Sequence, residues 1–184
     1  MKLVPTASQT VGPYFRIGLG YLCGNPELNG AAKTVTVRGR LLDANRDPVP
    51  DAMLELWYAD PQGCYAARSE GADRTGRAPD FARIATDDEG RFSFTVCRPG
   101  PVPFDGERMQ APHIEVMVFA RGLLRHLITR MYFPGEAANA ADPLLQAVPG
   151  DRRATLIARS ASSPESLEWN IVLQGEDETV FFAW

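Results

Sequence analysis

The chain has 184 residues, 45% of them hydrophobic, enough for one domain with its own core. Its 19 Lys and Arg against 23 Asp and Glu give a net charge of −4 with no basic cluster, which argues against nucleic acid as a partner. No apolar run reaches the roughly 20 residues of a bilayer-spanning helix, so no membrane is expected. Met1-Lys2-Leu3-Val4-Pro5-Thr6 lacks a signal-peptide core. Cys23, Cys64 and Cys97 are odd in number and lack paired zinc spacing, which suggests reduced thiols and a cytoplasmic location.

Residues 1–33 are punctuated by Gly12, Pro13, Gly18, Gly20, Gly24, Pro26 and Gly30 and hold no sustained period. They read as an extended arm on a single domain that covers residues 1–184, with a β-sandwich from 34 onward. Thr34 to Leu42 alternates β-branched and polar residues, as a half-buried strand does. Asp43 to Pro50 supplies a turn, and Met53 to Ala59 a second strand closed by Asp60, Pro61 and Gly63. Residues 66–80 are polar and read as a long surface loop.

Asp87-Asp88-Glu89-Gly90 predicts a hairpin turn between a strand ending near Ala85 and the strand Arg91 to Val96. A loop over 97–111 leads to a strand from His113 to Phe119, and Leu123 to Phe133 gives another. Pro134 to Pro149 is Ala-rich with weak helical character. Thr155 to Arg159 and Trp169 to Leu173 add two strands. Seven or eight short strands separated by turn signals predict an all-β, two-sheet sandwich.

Two motifs carry more. Cys97-Arg98-Pro99-Gly100-Pro101-Val102-Pro103 is followed by Ala111-Pro112-His113-Ile114-Glu115-Val116. Together they resemble the signature of the intradiol aromatic-ring dioxygenases, whose iron-binding members read Pro-Gly-Pro-Tyr-Pro and then Pro-Ala-His-Ile-His. The resemblance implies a β-sandwich and a ferric iron held by two tyrosines and two histidines. Here Val102 stands for the second tyrosine and Glu115 for the second histidine. Between Tyr65 and Tyr132 there is no tyrosine, and Tyr65 matches a different family position. One ligand, His113, remains, and one imidazole cannot hold iron in that geometry.

His113 and Glu115, two apart on a strand, share a face and could begin another metal site, but a third ligand is required and His126 is the only other histidine. The favoured reading is a hydrogen-bonded histidine in a vestigial pocket and no metal on this chain. Iron-binding relatives also carry arginine three places before the first histidine and glutamine in a Thr-Gln-x-Tyr-Phe strand. These positions hold Gln110 and Arg130, so Arg130 is expected to pair with Glu115 where the ion would be.

The resemblance is strongest to the iron-free subunits of this family, which pair with a homologous iron-binding beta subunit in a higher-order assembly. It implies Fe(III) on that partner, and cleavage of 3,4-dihydroxybenzoate by O2 to 3-carboxy-cis,cis-muconate. Thr6 to Phe15 resembles the arm that helps form the substrate channel, with Thr10, Gly12, Pro13 and Tyr14 as substrate-site residues. Arg121, in Phe119-Ala120-Arg121-Gly122, is the residue implied to meet the substrate carboxylate, which a guanidinium fits geometrically. Three aromatics near the terminus, Phe181, Phe182 and Trp184, are expected to pack on the body or on a partner. Two other readings remain open: a non-enzymatic small-molecule-binding sandwich, and a hydrolase or lyase using His113 and Glu115 as acid and base.

Overall fold

A computed structural model describes residues 6–26, 28, 33–65, 81–163 and 165–183. The expected loop at 66–80 and the terminal Trp184 lie outside the described residues. The strands are β1 (Thr34–Leu42), β2 (Met53–Trp57), β3 (Phe81–Ala85), β4 (Arg91–Cys97), β5 (Val102–Asp105), β6 (Arg108–Gln110) and β7 (His113–Phe119). They continue as β8 (Leu127–Tyr132), β9 (Arg159–Ser160), β10 (Ser166–Glu168) and β11 (Ile171–Val172). The helices are α1 (Gly12–Leu19) and α2 (Pro143–Ala147), with short 3-10 turns at Gly20–Leu22, Ala137–Ala140 and Arg153–Leu156.

One sheet is centred on β1, which pairs antiparallel with β4 on one side and parallel with both β10 and β11 on the other. The second runs β3-β2-β7-β8, antiparallel throughout. Period-2 alternation puts Val35, Val37 and Leu41 of β1, Phe92, Phe94 and Val96 of β4, and Leu54 and Leu56 of β2 into one core. Ile114, Val116 and Val118 of β7 complete it. Each fully buried aliphatic side chain of this kind contributes roughly 1.5–3 kcal/mol relative to exposure. This is the expected two-sheet sandwich.

The Pro99-Gly100-Pro101 motif is a packing corner. Gly100 donates to the Asp60 carbonyl at 2.9 Å, and a Cβ at Gly100 would stand 2.4 Å from the Pro61 oxygen. Only glycine lets the backbones approach so closely.

Four expectations need correction. The arm is not extended throughout: Gly12–Leu19 is helical. Gly12 takes φ +61°, and Pro13 then fits the first helical turn, where its missing N–H costs nothing. The helix brings Phe15 onto Phe119, rings 5.1 Å apart. The segment 97–111 holds the hairpin β5–β6 around Asp105-Gly106. The strand expected from Leu123 starts only at Leu127, because residues 120–126 form a turn with Gly122 at φ +84°. Finally, Arg153–Leu156 is a 3-10 turn where a strand was expected from Thr155.

β7 presents its other face, with His113, Glu115, Met117 and Phe119, away from the main core. Two groups of polar side chains sit at opposite ends of that face.

Candidate functional site

The first group surrounds His113, which is buried. Its Nδ1 lies 2.7 Å from the Ala111 carbonyl. A carbonyl only accepts, so Nδ1 carries the proton and Nε2 presents a lone pair. Burial, reinforced by the nearby Arg130 guanidinium, pushes the imidazole pKa down to about 4, and His113 is neutral at physiological pH. Nε2 is buried with no hydrogen-bond partner among the described residues.

Cross-strand register brings the rest together. His113 is opposite Tyr132, Glu115 opposite Arg130, and Val102 opposite Gln110 in the β5–β6 hairpin. Arg130 is buried. It donates through Nη1 to Gln110 Oε1 at 2.6 Å and through Nη2 to Glu115 Oε2 at 3.4 Å. All five residues of the expected vestigial pocket are thus neighbours, and Arg130 does reach Glu115.

Two further residues complete this end, and sequence reasoning missed both. Asp142, fully buried, accepts from the Ala111 backbone N–H at 2.8 Å and from the Tyr132 hydroxyl at 3.0 Å. The same carboxylate caps α2 through the Leu144 and Leu145 N–H groups. Burial, then the adjacent Asp142 charge, pushes the Tyr132 phenol pKa upward, so it stays protonated and donates. The dipeptide Asp142-Pro143 was a readable signal, an N-cap aspartate followed by proline at the first helical position.

The donor set here does not fit a ferric ion. One neutral imidazole and one carboxylate share a face, and the carboxylate is already held by a guanidinium. Val102, at the position expected for the second tyrosine, is buried and offers no donor atom. Among the described residues no group of three His, Cys, Asp or Glu side chains is placed to hold a metal.

The second group lies beyond Phe119, at the other end of β7. The Ala120–Gly122 turn carries Arg121, and the arm clasps that turn. Thr10 Oγ1 accepts from the Gly122 N–H at 3.1 Å and sits 3.5 Å from the Ala120 carbonyl. Thr10 and Arg121 are therefore adjacent. Gly12 and Pro13 start α1, and Tyr14 on the first turn is 80% exposed. Arg121 is half-exposed, with Nη2 3.5 Å from Asp51 Oδ2. Arg16 of α1 meets Oδ1 of the same carboxylate at 3.2 Å. Asp51 and Arg16 gave no sequence signal, since they meet Arg121 only through the tertiary fold.

A cavity of about 740 Å³ opens beside this turn, lined by Ser8, Val11, Phe119, Leu124, His126 and Phe182 among others. Phe182 donates its N–H to the Ile128 carbonyl at 2.8 Å, and Phe181 packs on the main core. The tail up to Ala183 is therefore folded onto the body, and it forms one wall of the cavity.

A two-sheet sandwich with a Pro-Gly-Pro corner beside a histidine-bearing strand defines a ring-cleavage dioxygenase scaffold. A family model described as Dioxygenase matches residues 24–175, and the chain belongs to the intradiol dioxygenases, an iron-dependent family. Along almost its full length it is similar to the alpha chain of protocatechuate 3,4-dioxygenase from Burkholderia cepacia. The two are 40% identical over 199 aligned positions, covering 98% of each. The beta chain from the same organism is 34% identical over 156 positions, covering 79% of this chain and 66% of that one. The fold is shared with the dioxygenase domain of a carbohydrate-binding fusion from Streptomyces sp. SirexAA-E. There the TM-score is 0.62 at 23% identity, with 95% and 94% of the two chains covered. No helix of the described residues is long and apolar enough to cross a membrane.

Proposed function

We propose that this chain is the iron-free alpha-type subunit of a protocatechuate 3,4-dioxygenase. It completes the substrate site of a homologous beta-type subunit that holds Fe(III). The observation that carries the reading is the division between the two ends of β7. The end where the family's metal ligands would stand is closed by Arg130, and the arm and Arg121 form an accessible site at the other. The near full-length similarity to an alpha chain, beside a weaker similarity to its beta chain, supports the same assignment.

The reaction breaks the ring bond between the two hydroxyl-bearing carbons of 3,4-dihydroxybenzoate and adds both atoms of O2, giving 3-carboxy-cis,cis-muconate. The iron of the partner subunit supplies activation of the ring diol toward O2. This chain contributes recognition. Arg121 donates to the substrate carboxylate, which lies across the ring from the diol, and Thr10 holds the Arg121 turn against the arm. Gly12 and Pro13 set the direction of the arm, and Tyr14 offers an apolar ring with a hydroxyl at the channel.

Tyr14 and Ile17 of α1 and Tyr21 of the 3-10 turn that follows, all exposed, supply apolar surface for the partner. Several alpha–beta units form the complete assembly. The free thiols Cys23, Cys64 and Cys97 support a reducing, cytoplasmic setting.

The test separates the two ends. Purified alone, the chain is expected to hold no stoichiometric ferric iron; co-expressed with a related chain bearing two tyrosines and two histidines, it should yield a red-brown complex. Iron bound stoichiometrically by this chain alone would overturn the assignment. In the complex, Arg121→Ala should cost about 1.5–3 kcal/mol of protocatechuate binding, the range for a charge-assisted hydrogen bond. That is roughly a tenfold to hundredfold rise in dissociation constant. Catechol, which has the diol and no carboxylate, should be turned over as before.

A further inference from the structure

Arg121 does not stand alone at its end of the sheet. Asp51, in the turn between β1 and β2, adopts φ +59°, a left-handed conformation that aspartate tolerates better than most residues. It presents one carboxylate oxygen to each of two guanidiniums: Arg16 at Oδ1, 3.2 Å, and Arg121 at Oδ2, 3.5 Å. Three segments remote in sequence converge on this carboxylate: the arm helix, the β1–β2 turn and the β7–β8 turn.

The charge arithmetic is simple. Two guanidiniums and one carboxylate leave a surplus of one positive charge. With Asp51 alone beside it, Arg121 would be neutralised and would attract a substrate carboxylate weakly. Arg16 on the opposite oxygen restores the surplus.

Exposure grades the three groups. The Arg121 side chain is 54% exposed, Arg16 32% and Asp51 27%, so the outermost cation is the one free to meet a ligand. Arg16 Nε is buried and has no acceptor among the described residues, and the ion pair Arg16 makes there is with Asp51. Asp87, which lines the same cleft as Arg16, is held by Arg91 at 2.8 Å.

We infer that Arg16 and Asp51 are positioning residues for carboxylate recognition: Asp51 fixes the Arg121 guanidinium, and Arg16 keeps the cluster net cationic. The inference rests on the reading that Arg121 meets the substrate carboxylate. It adds that selectivity for an aromatic acid over a neutral diol is shared by three residues and depends on the helical form of the arm. An extended arm would not fix Arg16 one residue beyond Phe15, whose ring is anchored on Phe119.

The experiment uses the assembled two-chain enzyme and compares steady-state kinetics on protocatechuate and catechol. Arg16→Gln is expected to raise KM for protocatechuate about three- to fivefold, the scale of a part-exposed charge interaction. The protocatechuate kcat and the catechol KM should stay within about twofold. Arg16→Lys, which keeps the charge, should recover most of the loss. Asp51→Asn adds a unit of positive surplus but frees the Arg121 guanidinium. The loss of its fixed geometry is expected to outweigh the added charge, so the protocatechuate KM should rise selectively, with little further effect in an Arg121→Ala background.

Equal losses on both substrates, no loss on either, failure of the lysine to recover function, or full additivity of Asp51→Asn with Arg121→Ala would each overturn the inference. If Arg121→Ala is selective while Arg16→Gln and Asp51→Asn are not, the inference falls and the role of Arg121 stands. If Arg121→Ala itself treats both substrates alike, both fall. Gel filtration and iron content of each variant complex establish that assembly is intact.

Discussion

At one end of β7, Arg130 is buried between Glu115 and Gln110; at the other, Arg121 stands half-exposed on a carboxylate it shares with Arg16. The same guanidinium group serves opposite ends. Buried, with one nitrogen on an amide oxygen and one on a carboxylate, it fills the pocket and its charge is offset by Glu115. Surface-facing, and sharing one carboxylate with a second guanidinium, it keeps a positive surplus at the surface. The lesson is that the balance of partners around an arginine, more than its presence, decides whether it closes a site or opens one.

The contrast can be broken or sharpened at three points. The largest expected effect is on stability against pH at the closed end. Folding holds the His113 pKa near 4, below its ordinary 6.5, so as pH falls the unfolded chain takes up this proton first. The stability owed to the neutral imidazole is whole above pH 6.5 and is lost as pH falls from there to about 4. The full loss is on the order of 3 kcal/mol. Urea unfolding at pH 7 and pH 4.5 measures it, and His113→Gln should flatten the difference. An unchanged pH slope in that variant would place the acid sensitivity elsewhere.

Next is the ion pair. Glu115→Gln leaves the buried Arg130 without its carboxylate and should cost about 2 kcal/mol, less than a fully buried pair because Glu115 is partly exposed. Adding Arg130→Met should recover part of that loss, since both charges are then gone. Strictly additive denaturation midpoints would mean that the two side chains do not support each other. Smallest is Thr10→Val at the open end, which removes the acceptor for the Gly122 N–H at a cost of about 1 kcal/mol. Proteolysis of the arm should quicken while the unfolding midpoint of the sandwich moves little. A large shift in that midpoint would show the arm to be part of the body.

Much of the frame was legible in the sequence, because alternation over five to nine residues in β1, β2, β4 and β7 leaves few alternatives. The short pieces were not. β5 and β6 have four and three residues, too few for a period, although Asp105-Gly106 is a hairpin signal in its own right. α1 hid behind glycines that suggested an extended chain, yet Gly12-Pro13 is also how a helix can begin.

The closed end could be read because its members sit on neighbouring strands whose register follows from the motif. The cluster on Asp51 could not. Its members are 35 and 70 positions from the carboxylate, as Arg16 and Arg121 stand to Asp51 in the chain, and no local pattern joins them.

The pairing of β1 bears on how the chain is made. Arg40 of β1 donates its backbone N–H to the side-chain oxygen of Asn170, 130 positions downstream, and β10 and β11 flank the same side of β1 in parallel. At translation rates of roughly 5–20 residues per second, β1 waits about 6–26 seconds for those neighbours, long after β4 has covered its other side. Throughout that interval one edge of a strand rich in valine and leucine stands open, the kind of edge that invites pairing with another nascent chain. Closure of that sheet therefore waits on residues 166–172, and a chain interrupted before them keeps the seam of the sandwich open.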